Sequence, residues 1–370
     1  MTLDDRGRRA GQDVRRTLAG AEDRAHDDAF GRFERRRTGR ARAQRGRAIV
    51  VAAVVTAAAV FLLTRAFPSG DRPQPANPPI RNGAIVFGRA APGIDGRRLF
   101  TVDPSGAHEL ALPVTFTDCA EWSPDGTRLH VTTSEYPGAP LRPGIVAADG
   151  SGLRLLGVVA DQSVGFGCGD WSPDGRRLAL EGLDEGAHPD WSDGRVFGRG
   201  IYTVRSSDGG DLVRVTAPPR GAFDAVPQYA PDGTVIAFLR SAPDLPANAG
   251  AIYLVHSDGS DLRRITTPGL AASSGSWSPD GQWIAFAGTD GELYLIRPDG
   301  TGLRTVPLGL PDGRPLQPRW APDGTALVFT VQIHDTNDVY TVHPDGSDLI
   351  RITNTPDADE RWPDWGPLPA

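Results

Sequence analysis

The sequence is short of the residues that many enzymes and small metal-binding domains use. Its 370 residues include no lysine, one methionine and only two cysteines, Cys119 and Cys168. Two cysteines are too few for a four-cysteine zinc site or for a disulfide-rich scaffold. No GxSxG, HExxH or P-loop motif occurs. The chain therefore carries no signature of the hydrolases, metalloproteases or nucleotide-binding enzymes that these motifs mark.

Glycine and proline, by contrast, are abundant, with 45 Gly and 33 Pro. Both residues interrupt helices and favour turns. The composition therefore favours an all-β protein built from short strands and tight turns.

Charge divides the chain into two parts. Residues 1–47 contain 14 Arg and eight acidic residues, whereas residues 68–370 contain 24 Arg and 38 acidic residues. Phosphate binding requires clustered positive charge. We therefore expect no nucleic-acid partner for the large acidic part.

An uncharged apolar segment, AIVVAAVVTAAAVFLLT (48–64), separates the two parts. As a helix it rises about 25 Å, enough to span a bilayer with adjustment at its ends. A cleaved signal peptide is the alternative, but the 47 preceding residues and the lack of a small-x-small site favour a retained anchor. We therefore predict a transmembrane helix over 48–67 in the cytoplasmic membrane.

The positive-inside rule places the Arg-rich residues 1–47 in the cytoplasm as a short tail. The segment PSGDRPQPANPP (68–79) follows the anchor, and it predicts a stiff, extended linker over 68–82. Residues 83–370 then form one large domain outside the membrane.

A five-residue motif recurs through this large domain. It reads WSPDG, YAPDG or WAPDG, its last copy is a truncated WGP, and its aromatic residues are Trp122, Trp171, Tyr229, Trp277, Trp320 and Trp365. Each complete motif precedes a β-rich run, and hairpins such as IYTVRSSDGGDLVRVT (201–216) show apolar alternation around an Asp-Gly turn. A repeat of 43 to 58 residues is typical of the blades of a β-propeller.

Counting strands predicts the architecture. Six hairpins give the third and fourth strands of six blades, and AIVFGR (84–89) gives the second strand of the first blade. Its innermost strand must then be the C-terminal DERWPDWGP (359–367). We predict a six-bladed β-propeller of four-stranded antiparallel blades, closed into a ring by the C-terminal strand. Seven blades are the alternative.

The motif residues have structural explanations. Pro-Asp-Gly suits a tight turn between the first and second strands, and the bulky aromatic residue packs between neighbouring blades. We therefore expect the aromatic residues, and turn residues such as Asp125 and Asp280, to be structural. No metal site and no cofactor is predicted.

These repeats resemble the PD40 (WD40-like) repeats of the TolB family. The resemblance rests on the WSPDG motifs and on hairpins of the form IYTV…DGSDLxRIT, and it covers residues 83–370. It implies a periplasmic-type propeller that binds other proteins. The lysine-free composition, rich in Arg, Ala, Gly and Pro, indicates in addition a high-GC actinobacterial source.

Ligand-binding residues are expected on the face opposite the PDG turns. There the loops between second and third strands and the links between blades come together, and binding residues tend to lie in such loops. The longest is the acidic 183–200, whose spacing matches no metal motif. The candidate contacts on this variable-loop face are Tyr136, Trp191, His334, His188 and Asp190.

The two cysteines occupy equivalent places in adjacent repeats. Cys119 and Cys168 each lie three residues before the motif Trp, on innermost strands near the central channel. In an oxidising compartment such a pair indicates a disulfide, provided that the two Cα atoms lie about 4.4–6.8 Å apart. Two buried free thiols are the alternative.

Three functions from different classes are compatible with the sequence. We predict a non-enzymatic extracytoplasmic binding or scaffold module, whose partner is another envelope protein or a cell-wall polymer. The second is a transmembrane sensor whose cytoplasmic tail binds a partner. The third is a propeller hydrolase or lyase acting on glycan or peptide. Two convergent carboxyl groups with raised pKa in a funnel on the variable-loop face would favour that third function.

Overall fold

The computed structural model describes residues 80–92, 96–116, 119–133, 141–157, 164–184, 200–241, 250–267, 270–310 and 312–369. The predicted tail, the predicted anchor and most of the predicted linker lie outside these residues. Within them the chain forms strands and turns and no helix. Accordingly, no helix long and apolar enough to cross a membrane occurs among the described residues.

The described strands, β1 to β24, form four four-stranded antiparallel sheets and one eight-stranded sheet. The eight-stranded sheet consists of two four-stranded antiparallel parts joined by a single parallel bridge, and these parts are called sheets 1 and 6. Sheet 1 contains β1 (Asn82–Ala90), β2 (Arg97–Val102), β3 (Leu110–Phe116) and the C-terminal β24 (Asp359–Pro367); sheet 2 contains β4 (Ala120–Trp122), β5 (Arg128–Thr133), β6 (Arg142–Ala147) and β7 (Arg154–Leu155). Sheet 3 contains β8 (Val164–Trp171), β9 (Arg177–Asp184), β10 (Ile201–Arg205) and β11 (Val213–Arg214); sheet 4 contains β12 (Phe223–Tyr229), β13 (Val235–Ser241), β14 (Ala251–His256) and β15 (Arg263–Arg264). Sheet 5 contains β16 (Ala272–Trp277), β17 (Ile284–Gly288), β18 (Leu293–Ile296) and β19 (Arg304–Val306); sheet 6 contains β20 (Arg314–Trp320), β21 (Leu327–Ile333), β22 (Thr336–Val342) and β23 (Ile350–Arg351).

Sheet 1 combines strands from the two ends of the described chain. Its order is β24-β1-β2-β3, so the C-terminal strand takes the innermost place that sheets 2 to 5 fill with their first strand. The β1–β24 ladder runs from the Asn82–Pro367 pair to the Ala90–Asp359 pair. One parallel bridge, between Asn337 and Asp359, links sheet 6 to sheet 1. The predicted closing strand, 359–367, therefore lies in the predicted sheet.

The apolar core is distributed between the sheets. Each of the six described clusters of buried side chains joins two sheets that follow one another, and the last joins sheet 6 to sheet 1 through residues such as Val328, Val339, Phe87 and Trp365. The second and third strands supply most of these residues because both of their faces are covered. Each sheet is thus held by its two neighbours.

The innermost strands carry an extra residue. In sheets 3 to 6 the pairing of the first and second strands shifts in the middle, for example between the Leu316–Thr330 and Arg319–Val328 pairs. Val226, Gln317 and Trp362 lie three residues before their motif aromatic and have positive φ angles of 50°, 54° and 55°. Such β-bulges bend a strand, so the inner strands turn sharply before they reach the PDG turn.

Candidate functional site

The PDG turns lie on one face of the molecule, and hydrogen bonds to the aspartate side chain stabilise each turn. In sheet 3 the Ser172 hydroxyl and the Arg176 N–H donate to Asp174 Oδ1 over 2.7 and 3.0 Å. These hydrogen bonds lower the pKa of Asp174. The same turn recurs at Asp125 and Asp280. An aspartate used in this way closes a turn, as we expected of these residues from the sequence.

Two turn glycines lie where a side chain would not fit. A Cβ on Gly126, which has φ 67°, would lie 2.4 Å from the Pro367 carbonyl oxygen of β24. A Cβ on Gly106, with φ 81°, would lie 2.8 Å from the Ile352 carbonyl oxygen of sheet 6. The turns of sheets 2 and 1 therefore pack directly against the backbone of the neighbouring sheet.

On the opposite, variable-loop face, the predicted contacts fall in two groups. Tyr136, His188, Asp190 and Trp191 lie outside the described residues and stay predictions. His334 is described: its side chain is exposed, its φ is 55°, and it begins the tight turn between β21 and β22. The structure therefore places one predicted contact residue on this face.

Next to His334, a polar network joins sheets 6 and 1. Asp359 accepts hydrogen bonds from Asn337, from Arg97 over 2.9 Å and from Arg361 over 3.0 Å. Asp338, at the start of β22, accepts one from Arg351 over 2.6 Å. Its other carboxylate oxygen is buried and has no partner among the described residues. Sequence reasoning missed the part of this network around Asp359, because Asp359 comes close to Arg97 and Asn337 only when β24 pairs with β1.

A buried triad of arginine, carboxylate and threonine occurs twice on the same side of the molecule. Arg89, Glu360 and Thr353 join sheets 1 and 6, and Arg240, Asp224 and Thr216 join sheets 4 and 3. Each carboxylate lies five residues before a motif aromatic, Tyr229 or Trp365. Burial raises the pKa of Glu360, against the lowering effect of Thr353 and Arg89. Both triads satisfy buried charges by pairing, which is a structural role.

The residue before each motif aromatic belongs to a polar belt along the inner strands. In order from sheet 1 to sheet 6, this inner belt consists of Asp364, Glu121, Asp170, Gln228, Ser276 and Arg319. The charges of Arg319, Asp364 and Glu121 all act on Asp170. Four inner strands therefore converge closely enough for their charges to interact, as expected around the axis of a propeller.

Three belt residues connect their sheet to the next one. The Trp122 N–H donates to Asp364 Oδ2 and the Tyr229 N–H to Asp170 Oδ2, both over 2.7 Å. The Trp320 N–H donates to Ser276 Oγ over 3.4 Å. Backbone groups of one sheet are thus satisfied by side chains of the preceding sheet.

The belt also contains strongly perturbed acids. Burial raises the pKa of Asp170 to about 7, with further raising by Asp364 and Glu121 and opposite effects from the Tyr229 N–H and Arg319. Burial raises the pKa of Asp364 to about 6. Arg319 Nε lies 3.9 Å from Asp364 Oδ1, and Arg319 Nη1 has no hydrogen-bond partner among the described residues. One guanidinium thus faces several carboxyl groups.

We expect these acids to make stability fall as the pH rises. The pKa of Asp170 is about 7 in the folded protein against 3.8 for the free side chain, so the folded protein binds this proton more tightly. The contribution is greatest below about pH 4 and is lost by about pH 7. A full shift would change the free energy of unfolding by about 1.4 kcal/mol for each unit of pKa. Because Asp170 is half-buried and solvent screens its charge, we expect a smaller change in the free energy of unfolding, about 1–3 kcal/mol.

The substitution D170N tests this expectation. Asparagine keeps an oxygen to accept the Tyr229 N–H but cannot ionise. Urea unfolding of the variant should show higher stability than the wild type at pH 8 and equal stability near pH 4. A wild-type stability that stays flat or rises between pH 4 and 7, with the same profile in D170N, would contradict the assignment.

The two cysteines form a disulfide between the inner strands of sheets 2 and 3. Cys119 and Cys168 are bonded, with their Cα atoms 5.3 Å apart, which is within the range that the bond requires. Both side chains are buried. Beside them, His130 Nδ1 lies 2.8 Å from Glu121 Oε2, and both side chains of this pair are buried as well.

Reducing this bond should destabilise the protein. It closes a sequence separation of 49 residues, for which a loss of about 2–4 kcal/mol is typical. We expect a lower urea midpoint in dithiothreitol for the wild type and no effect of dithiothreitol on C119A/C168A. Two free thiols, titrated in denaturant without reductant, would show that the bond is absent.

Comparison with known proteins agrees with this geometry. The family model described as the TolB beta propeller domain matches residues 119–368. The chain belongs to the TolB β-propeller family. In this TolB-like chain the matched segment runs from the inner strand of sheet 2 to the end of β24, and so contains all six motif aromatics.

Relatives and solved structures cover parts of this TolB-like chain. The TolB homolog of Chlorobium luteolum is 30% identical over 132 residues, which are 35% of this chain and 28% of that protein. The uncharacterized peptidase YuxL of Bacillus subtilis is 31% identical over 123 residues, 29% of this chain and 17% of that protein. The crystal structure of TolB from Acinetobacter baumannii matches with a TM-score of 0.60 and 17% identity, covering 77% of this chain and 67% of that one.

These matches bear mainly on the fold. The chain spans less than a third of the length of the two curated relatives. At 17% identity the structural match shows the shared fold alone. The names of the relatives include both TolB and peptidases.

Proposed function

We propose that this chain is a non-enzymatic binding or scaffold module that holds an envelope protein or a cell-wall polymer outside the cytoplasmic membrane. The observation that carries the proposal is the TolB propeller domain match over most of the chain. The TolB homolog among the relatives supports it. A rigid ring of sheets with long loops on one face is a suitable scaffold for binding.

The proposed module is a six-bladed ring, with each described sheet as one blade. The six apolar clusters that join each sheet to its successor, and sheet 6 back to sheet 1, support this count. The inner belt supports it too, since its members come one from each sheet. Closure by β24 leaves the ring without an open seam.

The proposed position of the module rests on the sequence. Residues 48–67 are the proposed single-pass anchor, because 48–64 are uncharged and apolar and arginines flank them. Residues 1–47 are then the cytoplasmic tail, and residues 83–370 lie on the extracytoplasmic side. The disulfide between Cys119 and Cys168 is consistent with an oxidising compartment.

The proposed ligand surface is the variable-loop face. The exposed His334 lies beside the network around Asp338 and Asp359. Its partly exposed arginines, Arg351 and Arg361, can donate to a partner. The sequence predicts further contacts on this face at Tyr136, His188, Asp190 and Trp191. Aromatic and charged side chains of this kind commonly dominate binding energy.

Affinity capture tests the binding role. Full-length protein serves as bait, with crosslinking in the solubilised envelope and mass spectrometry as the readout. A partner should be enriched by the wild type and lost from a variant with alanine at Tyr136, Trp191 and His334. A control variant with alanine at His256 and His343, on the PDG-turn face, should retain it. Identical proteins captured by all three baits would contradict the proposed surface.

A hydrolase or lyase is the second candidate, and one observation favours it. Asp170 and Asp364 are two carboxyl groups with raised pKa near the axis. Each nevertheless accepts a backbone N–H of the next sheet and lies near the PDG-turn end of its strand, away from the variable loops. We therefore expect no glycan- or peptide-cleaving activity from the full-length protein. An activity abolished by D170N/D364N would establish the enzyme instead.

A further inference from the structure

The PDG-turn face contains a groove at each of three successive sheet junctions. Groove 3–4 has a volume of about 420 Å³, groove 4–5 about 510 Å³ and groove 5–6 about 480 Å³. Each is lined by the PDG turns of both sheets and by the motif aromatic of the second sheet. Volumes of this size are in the range of small-ligand sites.

The grooves differ at one equivalent position, the second residue after the PDG turn. In sheets 2 and 3 this residue is arginine, in sheet 4 it is valine, and in sheet 5 it is Trp283, which lines groove 5–6. Arg128 lies over the Trp171 ring, with its guanidinium carbon 5.0 Å from the ring centre. Arg177 lines groove 3–4 together with Tyr229 and donates to Thr203 Oγ1 and the Asp211 carbonyl oxygen. In these repeats the chain itself places a guanidinium against the motif aromatic.

Sheet 4 has Val235 at this position, and groove 4–5 therefore lacks that guanidinium. Val235 and the half-buried Trp277 both line the groove. No arginine of the described residues lies over the Trp277 ring, although arginines lie over Trp171 and Trp283. Groove 4–5 thus has an aromatic surface over which no arginine of the described residues lies, in contrast to Trp171 at the junction of sheets 2 and 3.

The charges around groove 4–5 favour a cation. The exposed carboxylates of Asp232 and Asp280 line it. In both aspartates Oδ1 accepts the hydrogen bonds that close the turn. Their Oδ2 atoms accept no hydrogen bond from the described residues. The one arginine of the lining, Arg263, is engaged with the Pro298 carbonyl oxygen over 2.7 Å and lies 3.8 Å from Asp261.

We propose that groove 4–5 binds the guanidinium group of an arginine presented by a partner protein, seated over Trp277 between Asp232 and Asp280. The site is on the face opposite the variable loops and is independent of the function proposed above. A guanidinium suits it because the planar group stacks on an indole and donates to carboxylates at its edges. The partner's arginine takes the place that Arg128 and Arg177 fill in the preceding junctions.

Fluorine NMR of full-length protein labelled with 5-fluorotryptophan tests the proposal. The probe is a blocked Gly-Arg-Gly peptide, and W277F assigns the Trp277 resonance among the eight tryptophans of the chain. Addition of the peptide should shift this resonance, and the corresponding lysine peptide should bind at least fivefold more weakly. No shift at Trp277, or equal binding of the lysine peptide, would overturn the proposal.

The variant V235R supplies the missing guanidinium from the chain itself. It should weaken peptide binding at least tenfold while leaving the other tryptophan resonances and the melting temperature in place, because sheets 2 and 3 accommodate arginine here. T234R adds the same charge one residue earlier, where sheet 3 has Arg176, and should bind like the wild type. Unchanged binding by V235R, or equal loss in T234R, would refute a site over Trp277.

Discussion

A chain that ends at Asn354 is expected to lose cooperative folding. The truncation removes β24, which pairs with β1 along its whole length. It also removes Trp365 from the apolar cluster between sheets 6 and 1. Arg89 would lose Glu360, which lies 2.7 Å away in the buried interior. Breaking a buried pair by removing one partner costs about 3–5 kcal/mol, and loss of the strand adds an open edge beside it.

Circular dichroism and limited proteolysis measure this outcome. The truncated chain should show no sharp thermal transition and should be cleaved rapidly within sheet 1. A chain ending at Leu368 is the matched control, since it retains β24 and the Leu368 N–H bond to the Arg81 carbonyl oxygen. A truncated chain that melts as sharply and at the same temperature as this control would contradict closure by β24.

Substituting Arg240 with methionine should destabilise the protein by about 3–5 kcal/mol, the usual cost of leaving a buried charge without its partner. Arg240 donates two hydrogen bonds to Asp224, of 2.6 and 2.7 Å, and the Asp224 side chain is 0% exposed. Arg240 also lies over the rings of Phe238 and Tyr253. Methionine preserves part of this apolar contact, so the expected loss is mainly that of the charge.

Urea unfolding of R240M at neutral pH gives the measurement, and R205M is its control. Arg205 lies 2.8 Å from Asp208, yet both side chains are about half exposed. An exposed pair of this kind contributes only about 0–1 kcal/mol. Equal losses in the two variants would mean that Asp224 is not buried as described, whereas D224N combined with R240M should recover part of the loss.

The sequence predicted the strands well, including the pairing of the C-terminal strand with the first described strand. The aromatic-x-Pro-Asp-Gly motif repeats with its turn, so it predicted where first strands end and second strands begin. The predicted closing strand, 359–367, has the limits of β24. Local chemistry explains this success, because an Asp-Gly turn and an alternating apolar run need no distant partner to be recognised.

The inner belt and the network around Asp359 could not be predicted in the same way. The belt position holds Asp, Glu, Asp, Gln, Ser and Arg in turn, so its members share a place in the repeat and no common side chain. The sequence signal that was available for the belt is its position, one residue before each motif aromatic. Arg89 and Glu360 are 271 residues apart, and the pairing of β24 with β1 brings them together.

The groove over Trp277 was not predicted either, because binding residues were expected in the variable loops alone. The available signal was the second residue after each PDG turn. This residue is Val235 in sheet 4, whereas it is Arg128 in sheet 2 and Arg177 in sheet 3. The burial of the motif aromatics and their position between sheets follow from their size. The exposed fraction of each ring depends on the side chains of the neighbouring sheet. The repeat motif alone does not specify these side chains.

Membrane topology is the most direct test of the central claim, that this propeller is displayed outside the cytoplasmic membrane. Alkaline phosphatase, which is active only after export, is fused after Ala370 of the full chain, and a parallel chain lacks residues 48–64. We expect membrane-associated phosphatase activity from the first fusion and none from the second. An inactive first fusion, together with fluorescence from a green fluorescent protein fused at the same position, would place the propeller in the cytoplasm and contradict its export.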